Sequence, residues 1–352
     1  MLGNIEGKEI TIMQTKLLNA AEPGAVEEAA EIIRNGGLVG MPTETVYGLA
    51  ANALDASAVA KIFEAKGRPQ DNPLIVHISA FEQIRRLVKS VPESAKKLAK
   101  AYWPGPMTMI LEKSDLIPEI VSAGLPSVGI RFPSHPVAQA LITAAGVPIA
   151  APSANRSGLP STTTAQHVMR DMDGRIEAVL DGGTCGVGVE STIITLASDP
   201  PRLLRPGGIT LEQLRAVLGR VDVDRAVLNP LPKGARPLSP GMKYKHYSPK
   251  ANVIILDGDE QAYADYVNAH KGPGIAALCY TGEEKLVKVP AVCYGGETDY
   301  SAQARDLFDS LRHLDDIGAQ TVYARCPEPK GVGLAVYNRL MRAAGFEVLR
   351  LG

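Results

Sequence analysis

The chain has 352 residues, 45% of them hydrophobic and 21% charged, and its 37 Lys and Arg against 38 Asp and Glu leave a net charge of −1. That length exceeds one ordinary core and accommodates two domains in a normal globular composition. The charge balance lacks the basic excess of a protein that grips nucleic acid tightly, and no apolar run is long enough to span a bilayer.

The first residues, 1–14, carry acidic side chains and no continuous apolar core, so they do not read as a secretory signal, and a cytoplasmic location is expected. The pattern then alternates between helical and extended segments. A helix is predicted over 24–35, stopped by Gly36-Gly37, and a short strand over 38–41 runs into Pro42-Thr43-Glu44-Thr45-Val46-Tyr47-Gly48. Asp55 caps a helix over 56–65 that Gly67 ends. A strand over 74–78 follows Asn72-Pro73, then a helix over 92–102. Segments 107–111, 127–131 and 147–151 read as strands, with a helix over 135–145. Strands over 192–196 and 202–205 and a helix over 211–218 close the region. Proline is too dense over 229–241 for a helix or a central strand, so this stretch reads as a semi-rigid extended linker. The alternation restarts with strands over 253–256, 275–279 and 321–324 and helices over 260–270, 300–316 and 332–344. That is the pattern of a small α/β domain with βαβ units and a parallel sheet.

The four cysteines, Cys185, Cys279, Cys293 and Cys326, are scattered and form no CxxC pair, which argues for buried apolar roles rather than zinc or disulfides. The GxxxxGK[ST] phosphate loop is absent, as are HExxH and a Ser-His-Asp arrangement. Gly331-Val332-Gly333 lacks the third glycine of a dinucleotide loop and reads as the tightly packed start of a helix. The run from Gly182 to Gly188 reads either as a turn or as a loop that lets backbone approach a ligand. Small polar residues at strand ends say more, because open α/β sheets bind ligands there. Thr45, Ser153 and Ser191 occupy such places. Arg131 ends the strand over 127–131, either as a surface residue or as a bidentate carboxylate clamp. Lys66 and Arg68, followed by Asn72, either complement a helix dipole or hold a polyphosphate, and Arg205 is a further cation at a strand end. His77, inside an apolar strand, reads first as a structural histidine. The collection positions reactants and neutralises charge without supplying a nucleophile, which suits phosphoryl or nucleotidyl transfer.

Six segments occur in order: 42–49 (PTETVYGL), Lys66-Gly67-Arg68-Pro69, Asn72-Pro73-Leu74, 103–108 (WPGPMT), Gly129-Ile130-Arg131 with Pro133, and Ala151-Pro152-Ser153-Ala154-Asn155. Together they resemble the YrdC/YciO family of threonylcarbamoyl-adenylate synthases over residues 15–210. The stretch 239–249 (SPGMKYKHYSP) and the domain C-terminal to it resemble the long, two-domain form. The resemblance implies an α/β fold: a YrdC-like twisted open mixed sheet with helices, plus a smaller Rossmann-like α/β C-terminal domain. The expected division is a catalytic domain over 15–220, a Pro-rich linker folding over the active site at 221–250, and the small domain over 251–352.

It also implies a threonine site of Thr45, His77, Arg131, the backbone at Ala151, and Ser191, with Arg131 on the threonine carboxylate. The implied ATP site uses Lys66, Arg68, Asn72, Ser127, Ser153, Ser161 and Arg205, and Tyr244, Lys245 and His246 of the linker would cover the nucleotide. No protein metal site is implied, Mg2+ arriving on the ATP phosphates. The implied reaction takes L-threonine, bicarbonate or CO2, and ATP to threonylcarbamoyl-AMP and pyrophosphate. A separate threonylcarbamoyl transferase complex would use the product to modify tRNAs reading codons that begin with A, without stable tRNA binding by this chain. Two other readings stand beside it. One is a carbamoyl-adenylate-forming enzyme, whose usual zinc-finger cysteines this chain lacks. The other is a non-catalytic RNA- or ribosome-binding module, which would need a basic face that the net charge does not advertise.

Overall fold

A computed structural model describes residues 13–231, 234, 237–241 and 246–352. The first α/β unit carries strands β1 (Lys16–Asn19), β2 (Val39–Met41), β3 (Gly48–Asn52), β4 (Ile75–His77), β5 (Met107–Glu112), β6 (Ser127–Arg131), β7 (Ile149–Ala150), β8 (Ala178–Asp181), β9 (Thr192–Thr195), β10 (Arg202–Arg205) and β11 (Asp222–Val223). They form one mixed sheet in the order β1-β8-β2-β3-β7-β4-β6-β5-β9-β10-β11.

Alternation of side chains along the central strands decides what each face does. Val76, Met109, Val128, Ile130 and Ile194 point into the main core, packed against the helices Ala56–Lys66, Glu93–Tyr102 and Ala165–Met172. Their neighbours Ile75, Ile110, Ile193 and Leu204 make a small apolar floor on the opposite face. His77 and Arg131, paired across β4 and β6, share the parity of Ile75 and Gly129 and so rise from that second face. Arg205 would not follow by parity from Leu204. The β9–β10 register shifts between Leu203 and Arg205, and a bulge of this kind re-aims the side chain that follows it.

The second unit carries β12 (Asn252–Asp257), β13 (Ile275–Cys279), β14 (Ala291–Cys293), β15 (Thr321–Arg325) and β16 (Val348–Arg350), all parallel, in the order β14-β13-β15-β12-β16. The expected small Rossmann-like α/β domain is therefore present, with β15 rather than β12 beside β13. Val253, Ile255, Ala276 and Leu278 face the helices Tyr300–Asp316 and Gly333–Ala343, while Leu256, Ala277 and Cys279 face the helix Glu260–Ala269. Both faces are covered, as a parallel sheet requires. At Gly333 a Cβ would meet the Glu328 carbonyl at 2.3 Å and the Tyr300 ring at 3.0 Å, so that glycine serves close packing of a helix start.

The two units share core and charge. Val46 and Val189 of the first and Tyr247 of the connecting segment belong to the apolar cluster of the second. The guanidinium of Arg312 grips the Asp171 carboxylate at 3.1 and 2.8 Å and donates to the Pro160 carbonyl at 2.6 Å. The glycine-rich run ends at Gly188, with φ +78, where a Cβ would lie 2.3 Å from Arg305 Cα. The backbone that approaches closely there is that of the helix Tyr300–Asp316.

Candidate active site

On the second face of the large sheet lies a partly open cavity with about 510 Å³ of space between its walls, solvent-open space included. Strand ends and the loops beside them line it: His77 ending β4, Arg131 ending β6, Ala151 and Ser153 after β7, Glu190 and Ser191 before β9, Arg205 ending β10, and Arg68 after the helix Ala56–Lys66. Pro240, Gly241, His246 and Tyr247 close it from the connecting segment. A smaller slot of about 260 Å³ adjoins it, sharing Ile75 and Pro240, and contains Ser127, Gly129 and Thr108 with mostly apolar neighbours. A Cβ at Gly129 would approach Thr108 Cγ2 to 3.1 Å, so glycine there keeps the slot open.

In the cavity wall Arg131 meets the Glu44 carboxylate at 2.9 Å, both side chains largely buried. Arg131 Nη2 also reaches Thr43 Oγ1 at 3.5 Å, while its Nε and both Glu44 oxygens make no hydrogen bond to any described residue. Thr43 Oγ1 bonds Thr45 Oγ1 at 2.9 Å and donates to the Val46 carbonyl at 2.6 Å, which fixes the turn. His77 is buried, and burial together with the charge of Arg131 pulls its imidazole down to about 3. It is neutral near pH 7, with Nδ1 unpartnered.

Arg205 donates from Nε to the Ser191 carbonyl and from Nη2 to Ser191 Oγ, each at 3.1 Å. Burial lowers its guanidinium to about 10, which leaves it charged. Ser191 Oγ pairs with Thr108 Oγ1 at 2.8 Å. Arg68 Nη2 donates to the carbonyls of Asn72 at 3.4 Å and Pro73 at 3.3 Å. His246 is also held at about 3, by burial and then by Arg68, and its Nδ1 is unpartnered. The cavity thus combines two neutral histidines with three guanidiniums.

Of the residues singled out from sequence, His77, Arg131, Ala151, Ser191, Arg68, Ser153, Arg205 and His246 line this one cavity, and Ser127 lines the adjoining slot. Four stand behind the wall. Thr45 touches it through Thr43. Lys66 runs beneath, its Nζ bonded to the carbonyls of Ser153 at 2.5 Å and of Asn155. Burial and the neighbouring Arg68 charge push its ammonium well below the usual range. Asn72 is buried beside Arg68 with its Oδ1 unpartnered. Ser161 donates to the Glu190 carboxylate. Tyr244 and Lys245 lie outside the described residues.

Sequence reasoning missed Glu44, Glu190, Tyr247 and Arg339. Glu44 was in view inside the Pro42–Gly48 stretch. Glu190 has no local signal, because its partner Arg339, bonded at 2.9 Å, is 149 residues away. Among the described residues no group of three or more His, Cys, Asp or Glu could hold a metal ion. No helix among them is long and apolar enough to cross a membrane.

A family model named for Sua5, YciO and YrdC, described as "Telomere recombination", matches residues 31–207, and a second, "Threonylcarbamoyl-AMP synthase, C-terminal domain", matches 209–345. The chain belongs to the threonylcarbamoyl-AMP synthase family. It is 46% identical over 339 residues to the threonylcarbamoyl-AMP synthase of Pyrococcus abyssi, covering 94% of this chain and 97% of the relative. It is 47% identical over 329 residues to that of Bacillus subtilis, covering 92% and 94%. The crystal structure of P. abyssi Sua5 complexed with L-threonine superposes with a TM-score of 0.87 at 43% identity, over 96% of this chain and 100% of that one. The P. abyssi structure matches across both units, so the two-domain architecture is shared with that relative.

Proposed function

We propose that this chain makes L-threonylcarbamoyl-AMP from L-threonine, bicarbonate and ATP. The observation that carries the reading is the convergence of Arg131, Arg68 and Arg205 on a single cavity, in a chain whose relatives bear that enzyme's name. Arg131 offers a planar fork to the threonine carboxylate. Its Nε and the Nδ1 of neutral His77, both without a hydrogen-bond partner among the described residues, support a ligand-binding role for the pair.

The threonine amine takes up bicarbonate with loss of water, or CO2 directly, to give N-carboxy-threonine. A carbamate oxygen then attacks the α-phosphorus of ATP, the P–O bond to the β-phosphate breaks, and pyrophosphate leaves with the electron pair. Arg68 and Arg205 offset the charge that builds on the phosphates, and Ser127, Ser153 and the slot beside them take the rest of the nucleotide. Mg2+ would come bound to the ATP phosphates, because Glu44 and Glu190, the carboxylates nearest the cavity, are each paired with an arginine. Pro240, Gly241, His246 and Tyr247 support a covering role for the connecting segment, which would keep water from a hydrolysable intermediate. The product would pass, in the cytoplasm, to a transferase complex that modifies tRNAs reading codons that begin with A.

Pyrophosphate release by the purified protein with ATP and Mg2+, leaving out threonine or bicarbonate in turn, tests the proposal. Release is expected only when both are present. Release indifferent to threonine refutes it.

A further inference from the structure

Arg339 belongs to the second domain, on the helix Gly333–Ala343, yet its guanidinium ends against Glu190, a residue that lines the catalytic cavity. It is 0% exposed and heads the largest fully buried side chains among the described residues. Nε donates to Glu190 Oε2 at 2.9 Å, Nη2 to the Glu190 carbonyl at 3.3 Å, and Nη1 to the Pro206 carbonyl at 2.8 Å. One side chain therefore holds the residue before Ser191 and the residue after Arg205. The turn it grips has no slack, since a Cβ at Gly207 would meet Thr192 N at 2.4 Å and the Glu190 carbonyl at 2.6 Å.

The charges explain why this matters at the cavity. Burial disfavours the Glu190 carboxylate, but Arg339, Arg205 and Ser161 outweigh it and draw its carboxyl down to about 2. Glu190 is thus a fixed buried anion within reach of two cations. Its Oε2 is taken by Arg339 and its Oε1 by Ser161. Arg205 bonds Ser191 instead, and so stays along the cavity wall. Without Arg339, the nearest compensation for a buried carboxylate would be Arg205 itself, because leaving such a charge unpaired is expensive.

We propose that Arg339 is a positioning residue for the nucleotide end of the site: by satisfying Glu190 it keeps Arg205 directed at the ATP phosphates, which makes the second domain part of the synthase's ATP site. This rests on the function proposed above.

The test is ATP binding by calorimetry, with Mg2+, and threonine binding in parallel, on the full chain with Arg339→Met, with Arg339→Lys, and with the double change Glu190→Gln/Arg339→Met. Loss of one charge-assisted contact predicts an ATP dissociation constant about tenfold or more higher for Arg339→Met, with threonine binding within about twofold. The double change removes the carboxylate that would capture Arg205, so ATP affinity is expected to return to within about threefold of the unsubstituted protein. Arg339→Lys, which keeps a cation against Glu190, should fall between. If Arg339→Met does not fold, Arg339→Gln replaces it in the same comparison. A double variant as weak as the single one, or ATP and threonine weakened together in folded protein, overturns the proposal. An unsubstituted protein that fails to bind ATP refutes the proposed function instead.

Discussion

Replacing Arg131 by lysine keeps a positive charge opposite Glu44 but removes the planar fork. Alanine is the poorer probe. It would strand a Glu44 side chain only 13% exposed, and breaking a buried pair costs about 3–5 kcal/mol of fold stability. Lysine isolates the binding step. A carboxylate held by the fork receives two charge-assisted hydrogen bonds worth about 1.5–3 kcal/mol each, and an ammonium preserves about one of them. The loss of the other raises the threonine KM about 10- to 150-fold, at a tenfold change for every ~1.4 kcal/mol. The assay is initial-rate pyrophosphate release at saturating ATP and fixed bicarbonate with threonine varied, then the reverse. The ATP KM is expected to stay within about twofold, because Arg68 and Arg205 are untouched. An ATP KM that rises by the same factor, or a threonine KM that does not move, refutes the assignment of Arg131 to the substrate carboxylate.

Arg205→Ala should show the opposite split, an ATP KM about tenfold or more higher with threonine nearly unchanged, measured by the same rates. The pair Asp171–Arg312 joins the two domains in a buried, bidentate geometry. Asp171→Asn alone leaves a buried guanidinium uncompensated and should cost about 3–5 kcal/mol in denaturant unfolding, whereas Asp171→Leu/Arg312→Met should recover most of it; a double variant as unstable as the single one contradicts this. The histidines make stability depend on acid. His77 and His246 titrate near 3 in the folded chain, through burial and then the charges of Arg131 and Arg68, against about 6.5 when unfolded, so the unfolded state binds more protons between those values. Stability is therefore full above about pH 6.5 and falls as pH drops, by about 2 kcal/mol per histidine at pH 5. His135 and His167 shift in the same direction, and Glu190, held near 2, adds loss only below about pH 4.5. Denaturant midpoints between pH 7 and 5 should flatten in His77→Asn/His246→Gln, and an unchanged slope would show that these two residues do not carry it.

Period-two alternation makes much of this site legible in the sequence. In the run Ser127-Val128-Gly129-Ile130-Arg131 the polar and small positions share one face and the apolar ones the other, whereas in Ile75-Val76-His77 the polar residue shares its face with Ile75 and the split is weaker. The second domain is equally readable, because its helices are long and its strands rich in Val, Ile and Leu. Other elements carry too little signal. Gly48–Asn52 is a central strand made of Gly, Leu, Ala, Ala and Asn, with none of the β-branched residues that mark strands. Lys16–Asn19 is a mostly exposed edge strand that exists through its pairing with Ala178–Asp181. Arg205 reaches the cavity only through a register shift, which no spacing rule anticipates. Lys66 has a partner that residue type does not announce. A lysine before Gly67-Arg68 suggests a phosphate ligand, yet its amine is bonded to two backbone carbonyls of the Ser153–Asn155 loop and holds that loop in place.

The interface between the domains supplies the remaining step. Its centre is polar: Arg312 on Asp171, Arg339 on Glu190 and Pro206, the Asn338 amide donating to the Val227 carbonyl at 2.6 Å, and Arg342 donating to the Ala226 carbonyl at 2.7 Å. Buried charges of this kind add little net stability over an apolar surface, but any other docking leaves them unpaired at several kcal/mol each. They therefore favour one arrangement of the domains over its neighbours more than they strengthen it. The arrangement so selected sets Arg339 against Glu190 and brings Tyr247, whose ring packs on Phe308 at 5.2 Å between centroids, to the rim of the cavity. A sheet that carried Arg68, Arg131 and Arg205 alone would leave Glu190 without its strongest partner and the cavity without Tyr247 at its rim. With the second domain in place, Glu190 is satisfied from behind and all three guanidiniums line one cavity.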